Sequence, residues 1–410
     1  MSAVGLHSAT SPPAGVEARL RRRLSRRQLG TVVGLIALGA VIRVWIGFTN
    51  RGDAYDINAA YLFARALAAH PLHVYSAGYP YPGGFLPVML LCWKIAHATG
   101  LAFYGVFKVP AILADAGIAA VLAWGLGCLG ASPRDRIVSV ALVALGPMFV
   151  LISGYHGQID AVALLPGVVA VVLWQLGEEG RAWQAGLLIG LGAAVKTFPL
   201  FLVFALLPSV RSRREAATLI ALAVAVPLAS VLPFLVADGH ATIAAITATK
   251  ALPGLGGLTL LIQPSLIHIW LSHPVRADPI VVDLVRRQNL LVGAAVVLAG
   301  AYAYRRRLDA IQASALIWLV VYVANPDWFY QYMIWGLPFF LLAGRRVEVA
   351  LVQLALALPA AEVYFRFGLP SLEWLYVPLV DLLWCGFALA TIALVYRHSR
   401  SGRPAMLPSG

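Results

Sequence analysis

Apolar runs of bilayer length recur along the chain, separated by short polar segments, and the pattern predicts a bundle of membrane-spanning helices. Crossing the hydrocarbon core takes about 20 apolar residues. The first run, 30–49, has that length and follows six arginines between Arg19 and Arg27. Positive charge gathers on the cytoplasmic flank of such helices, so the loop that follows, 51–82, is expected outside the cytoplasm. Further runs at 83–98, 106–130, 137–153, 160–177 and 184–207 lead to the basic stretch VRSRRE at 210–215. Counting each as one crossing puts that stretch in the cytoplasm, but puts 156–160 there too. The alternative breaks 184–207 between Lys196 and Pro199 into two half-helices, with one earlier run failing to cross; Arg134 and Arg136 around Asp135 favour it. Both paths stay open at this stage.

The second half reads more simply. A run at 216–236 leads out to a long Pro- and Gly-rich segment, 237–283, with an apolar stretch near 258–271. Runs at 284–304 and 310–324 return to Arg305–Arg307 and go out again. The aromatic stretch NPDWFYQY, 325–332, is then outside, and 333–343 comes back to Arg345 and Arg346. Runs at 347–363 and 375–396 end in the basic tail RHSRSGR. The fold expected is an all-α polytopic membrane protein with about 11–12 transmembrane helices and both termini cytoplasmic. Residues 30–397 form the membrane domain, flanked by a disordered basic tail, 1–29, and a cytoplasmic tail, 398–410. Within the first outer loop, 57–69 predicts a short interfacial helix with Asp56 as its N-cap, ended by Pro71, Pro80 and Pro82.

Composition agrees. Hydrophobic residues make up 60% and charged residues 12% of the 410, about half the charged share of a soluble protein, and the mean hydropathy is +0.82. The net charge of +13 sits in short patches between helices, which positive-inside topology explains and nucleic-acid binding does not. Cys92, Cys128 and Cys385 lie in apolar runs with no metal or redox spacing. No internal repeat of the kind many transporters carry is present.

In so apolar a chain, acids and lone cations near membrane depth call for explanation. Asp53 and Asp56, three residues apart at the exit of the first helix, could share a metal ion or take a proton from a hydroxyl, or could be a cap and a solvated acid. In GYHGQID, His156, Gln158 and Asp160 could bind sugar hydroxyls or orient the loop acid; Asp160 could equally cap the next helix. Lys196 stands alone in an apolar run before Pro199, suited to a phosphate or to a buried acid such as Asp115, Asp160 or Asp381. Arg286 and Arg287, at the outer end of 284–304, could clamp a phosphate or anchor to headgroups. Asp327, Tyr330 and Gln331 suit stacking and hydrogen bonding to sugars, and so do interfacial aromatic belts. The spacing of His268 and His273 argues against a shared metal.

At these residues the chain resembles the GT-C superfamily of integral-membrane glycosyltransferases, and most of all the bacterial polyprenyl-phosphate-mannose-dependent mannosyltransferases. The likeness rests on Asp56 with Phe63, Ala64 and Tyr75, on YPYPGG at 79–84, on Gly157, Gln158 and Asp160, and on Lys196 with Pro199. The 325–335 segment resembles a later external motif of that group, with Tyr330 and Gln331 where histidine is frequent. The chain lacks a strict DxD or DE pair.

The resemblance implies an inverting transfer of a hexose, mannose above all, from a polyprenyl-phosphate carrier to an extracytoplasmic glycolipid or glycan acceptor at the cell membrane. Asp56 would be the base, with Asp53 beside it. Lys196, Arg286 and Arg287 would hold the donor phosphate. His156, Gln158, Asp160, Tyr81, Asp327, Tyr330 and Gln331 would contact sugar or acceptor. No metal ligands are assigned and no tightly bound cofactor is expected, a need for a divalent metal being left open. The competing reading is a secondary transporter or lipid flippase with an intramembrane Lys/Asp site.

Overall fold

The computed structural model describes residues 24–177, 181–248, 253–254, 256–270, 275–327, 329–365 and 370–400. Most of the two expected tails, together with Lys250, His273 and Trp328, lies outside the described residues. The regular elements among the described residues are all helices, with no strand. Among the described residues, six helical stretches, 133–156 counted as one, are long and apolar enough to cross a membrane, with shorter apolar helices between them. Their outward faces carry exposed Leu38, Val41 and Trp45, or Leu382, Leu389 and Ile392, the side chains lipid would cover. Fully buried Trp174, Trp318, Tyr322 and Phe339 fill the interior.

Helix α1 (Arg26–Thr49) opens on a reciprocal cap, in which Ser25 accepts from the Gln28 amide and Gln28 accepts from that of Ser25. After α1 comes the short helix α2 (Ala54–Ala69), then α3 (Leu86–Thr99) and α4 (Phe103–Cys128). At 14 residues, α3 is about 21 Å long, too short for the core. The contacts agree that it does not cross. Lys108 at the start of α4 donates to the Asn50 carbonyl at 2.8 Å, and the Tyr104 hydroxyl reaches Phe48 O at 3.3 Å. Helix α4 thus begins where α1 ends.

At the opposite end α5 (Pro133–Ala144) starts, with Arg136 Nε donating to Ala123 O at 2.7 Å. It stops at Leu145, and the chain climbs on through 147–156. The free carbonyls at this break are met by other helices. Gln353 donates to Leu142 O at 2.9 Å, and the Arg43 guanidinium to Val143 O at 2.7 Å and to Ala144 O. Arg43 also pairs with Asp115 at 3.1 Å, both side chains buried. Asp115, one of the acids considered for Lys196, is therefore Arg43's partner.

Helix α6 (Asp160–Leu176) returns to the far end, where Trp174 donates to Ser209 at 2.7 Å. From there α7 (Arg181–Val195) climbs to Lys196, a turn at Phe198–Leu200 follows, and α8 (Phe201–Leu206) descends to Ser209. Arg181 fastens both feet, donating to Ser209 O at 2.8 Å and pairing with Glu215 at 2.7 Å. Residues 181–209 are thus a re-entrant hairpin. The hairpin turns between Lys196 and Leu200, where one of the two paths left open by the sequence broke the 184–207 run.

Helix α9 (Arg213–Ala248) crosses back, containing Pro227 and Pro233 and kinked at Asp238. The first turn leading into α3 packs on α7 and α9. The short α10 (Pro279–Arg286) leads into α11 (Gln288–Arg306), α12 (Ala310–Ala324), α13 (Tyr330–Leu342), α14 (Arg346–Phe365) and α15 (Pro370–Arg400). The pair of Arg346 with Asp135 (2.9 Å) ties α14 to the first half, and Gln288 donating to Asn325 (2.6 Å) ties the start of α11 to the end of α12.

Candidate active site

The loop after α1 folds as its sequence predicts, with one exchange of roles. Helix α2 buries Ile57, Ala60, Ala64 and Leu67, one face at helical spacing, and leaves Tyr55, Tyr61 and Leu62 exposed. Its N-cap is Asp53, whose Oδ1 accepts from the Asp56 amide at 3.0 Å, and not Asp56 as expected. Three residues of offset satisfy the capping geometry from Asp53, and the Asp56 carboxylate is left free to point elsewhere.

It points at the end of the broken 133–156 helix. There the last turn widens, so that the amides of both Gly157 and Gln158 reach the Ile152 carbonyl, at 3.0 and 3.2 Å. Such widened turns recur at functional sites. Gly157 sits at φ +89°, and a Cβ there would press to 2.7 Å on Ile57 of α2. Gly52, at φ +86°, lies likewise on the Tyr155 carbonyl. Two glycines thus let the loop and the widened turn meet.

A continuous hydrogen-bonded chain runs from that meeting point. Asp56 Oδ2 faces His156 Nε2 and Gln158 Nε2, each at 2.5 Å. Gln158 Oε1 accepts from Lys196 Nζ at 2.9 Å, and Lys196 pairs with Asp160 Oδ2 at 2.7 Å. Asp160 Oδ1 accepts from Trp335 Nε1 at 2.6 Å. The Lys196 ammonium also lies 4.8 Å above the Tyr81 ring. On the other side, His156 Nδ1 is 2.6 Å from the Tyr364 hydroxyl. Asp160 is completely buried and Lys196 nearly so, while the Asp56 side chain keeps 35% of its exposure. The chain of bonds therefore runs from a buried ion pair out to an accessible carboxylate.

Burial alone would raise the Asp56 carboxyl, but the His156 hydrogen bond, the Lys196 charge and the Gln158 hydrogen bond outweigh it and hold it below the ordinary carboxylate value. Asp56 is thus an anion at neutral pH. Asp53, Asp56 and His156 each offer one ligand atom, all within 4.8 Å of one another. The set could hold a divalent metal, which would displace the His156–Asp56 hydrogen bond.

Of the residues singled out in the sequence, Asp53, Asp56, Tyr81, His156, Gln158, Asp160 and Lys196 come together. Arg286 and Arg287 do not join them. Arg287 pairs with exposed Asp283 at 2.9 Å, and Arg286 lines a shallow groove with Arg276 and Asp283. The later aromatic segment arrives through an unexpected residue. Tyr330 donates to the Tyr376 hydroxyl, Gln331 and Asp327 are buried at the head of α13, and it is Trp335, one turn further on, that reaches Asp160. Trp335 stacks on Phe198 at 4.1 Å and 9°. Asp381, the other acid considered for Lys196, lies on α15 and is not part of this network.

Comparison with known proteins now decides the class. The sequence model of glycosyltransferase family 87 matches residues 79–326, more than half of the chain. The chain belongs to glycosyltransferase family 87. It is a multi-pass membrane glycosyltransferase, as the GT-C resemblance implied. The family match takes in Tyr81, His156, Gln158, Asp160 and Lys196, while Asp56 lies ahead of it. A crystal structure of ArnT from Cupriavidus metallidurans bound to undecaprenyl phosphate is similar at 14% identity and a TM-score of 0.49, over 92% of this chain and 78% of that one. No curated protein sequence matches the chain.

Proposed function

We propose that this family 87 glycosyltransferase moves a hexose, mannose in first place, from a polyprenyl-phosphate carrier to a hydroxyl of a glycolipid or glycan on the extracytoplasmic side of the cell membrane. The observation that carries the reading is the accessible Asp56 carboxylate, kept ionised by His156 and Gln158 at the tip of a buried charge network. Both hydrogen bonds fall on Oδ2, so Oδ1 is left to meet an acceptor. In the transfer, the acceptor O–H gives its proton to Asp56 as its oxygen bonds to the anomeric carbon. The carbon–oxygen bond to phosphate breaks on the opposite face, with inversion, and the electron pair leaves on the polyprenyl phosphate. Positioned proton transfer of this kind contributes about 10²–10⁴-fold.

Lys196, the cation bonded into the Asp56 network, supplies positive charge toward the leaving phosphate in a water-poor setting, where such stabilisation is strong. Tyr81, and the aromatic side chains around Trp335, offer faces to a sugar ring. Arg134, Arg136, Arg181, Arg305–Arg307, Arg345 and Arg346 lie at the end of the bundle away from Asp56. This supports cytoplasmic termini and an extracytoplasmic site.

The test is transfer by the purified enzyme in lipid nanodiscs. Polyprenyl-phosphate mannose and glucose, polyprenyl-diphosphate sugars and nucleotide sugars are offered in parallel with a membrane glycolipid extract. Transfer from a monophosphate carrier that disappears in Asp56→Asn supports the reading. Transfer only from a nucleotide or diphosphate donor, or an active Asp56→Asn, overturns it.

A further inference from the structure

Both donors to Asp56 are ambiguous when taken alone. A neutral imidazole carries its proton on either nitrogen, and a side-chain amide presents either end. Lys196 resolves the amide. An ammonium only donates, so the Gln158 atom facing it is the oxygen, and the NH2 group is left for Asp56. The residue in the corresponding place behind His156 is Tyr364. Its hydroxyl lies 2.6 Å from Nδ1, on the side of the ring away from Asp56. A carboxylate only accepts, so Nε2 carries the proton opposite it. Nδ1 of a neutral ring is then a lone pair, and the phenol O–H donates to it.

We propose that Tyr364 is a positioning residue for the transfer reaction. Its hydroxyl holds His156 in the Nε2–H tautomer, and through that bond fixes the Asp56 carboxylate with Oδ1 toward the acceptor. The inference rests on the reading of Asp56 as the base. Tyr364 is built for the task, because it is held at both ends. Tyr155 donates to its backbone carbonyl at 3.2 Å, and its ring lies 5.0 Å from His156 and 6.0 Å from Tyr330. The tautomer of a histidine is set by whatever its second nitrogen meets, and here that partner is supplied by α14, 208 positions along the chain.

Tyr364→Phe keeps the ring contacts and removes one oxygen. In nanodiscs its kcat is expected to fall about 10- to 100-fold, with KM for the donor unchanged within about twofold, the pattern of a lost transition-state interaction. Histidine-selective 15N spectra, with His156→Gln to assign the signal, supply a readout that packing does not move. The wild-type ring is expected to carry its proton on Nε2, and the Tyr364→Phe ring to shift toward Nδ1–H. A wild-type proton on Nδ1 overturns the proposal even if the variant fails to fold. A folded Tyr364→Phe with wild-type kcat overturns it as well. If Asp56→Asn is inactive while Tyr364→Phe is not, only the role of Tyr364 falls; if Asp56→Asn retains transfer, the reading beneath it falls too.

Discussion

Two buried ion pairs stand within the same bundle, and they spend their remaining hydrogen bonds differently. Arg43 and Asp115 lie between α1 and α4, and the guanidinium turns its other donors onto backbone carbonyls of Gly39, Val143 and Ala144. That arrangement closes on itself and seals a helix break. Lys196 and Asp160 turn theirs outward, Lys196 to Gln158 and Asp160 to Trp335, and Gln158 passes the connection to Asp56. Either pair alone is costly to break, because a buried partner is left uncompensated. The two pairs differ in where their surplus bonds end, one on backbone and the other on an accessible carboxylate, and the proposed function assigns a role in transfer only to the second.

The sharpest test of that distinction is at the end of the second network. Asp56→Asn is expected to lower transfer about 10²–10⁴-fold while the melting temperature hardly moves, as a single-turnover assay beside thermal unfolding would show. Next come the pairs themselves. Asp115→Ala is expected to destabilise the fold by about 3–5 kcal/mol, whereas Lys196→Met combined with Asp160→Leu keeps most stability and loses transfer. Reversal of these two outcomes would mean the pairs have been assigned the wrong way round. A smaller effect is expected at the cap, where Asp53→Ala costs about 1 kcal/mol, measured by denaturation, and lowers transfer only as α2 frays.

The acid side of the pH profile should be nearly flat. Asp56 titrates below the ordinary carboxylate value, so its ionised form, and the stability its hydrogen bonds contribute, persist above the unfolded value and are lost only as pH falls through the depressed one. Transfer measured from pH 7 down to about pH 5 is therefore expected to be constant, and a loss centred near 6 would point to another group as the base. Smallest of all is Arg287→Gln. With its partner Asp283 exposed, it is expected to change stability by less than about 0.5 kcal/mol and transfer not at all.

What could be read from the chain beforehand follows from contrast. His156, Gln158, Asp160 and Lys196 stand out because they interrupt or flank apolar runs, and Asp56 because it sits at the exit of one; the structure places all five in one network. Tyr364 and Trp335 bond directly to that network, yet an aromatic residue in an apolar helix is indistinguishable from ordinary packing or an interfacial belt. Arg43 was equally silent, since a single arginine in the first span has no partner visible within its own helix. Arg286 and Arg287 stand out for the opposite reason: charge at a helix end is conspicuous whether it binds a ligand or meets solvent. Their nearest acid, Asp283, sits one turn away and takes Arg287. Capping turned on a three-residue choice between Asp53 and Asp56 that spacing leaves undecided. The path through 83–208 became clear only from contacts such as Lys108 to Asn50, because helices too short to cross carry the same hydropathy as those that do.

The re-entrant hairpin gives the site a ruler. Its feet are tied by Arg181 to Glu215 and Ser209 at one face, and its 15-residue ascending arm lifts Lys196 by about 22 Å, short of the roughly 30 Å hydrocarbon thickness. The cation's height is thus set by the hairpin's ascending arm, while Asp56 is carried separately by α2. Among the described residues, Gln158 is the one side chain that bonds both the Lys196 ammonium and the Asp56 carboxylate, so the distance between these two charges is set by the length of a single amide side chain.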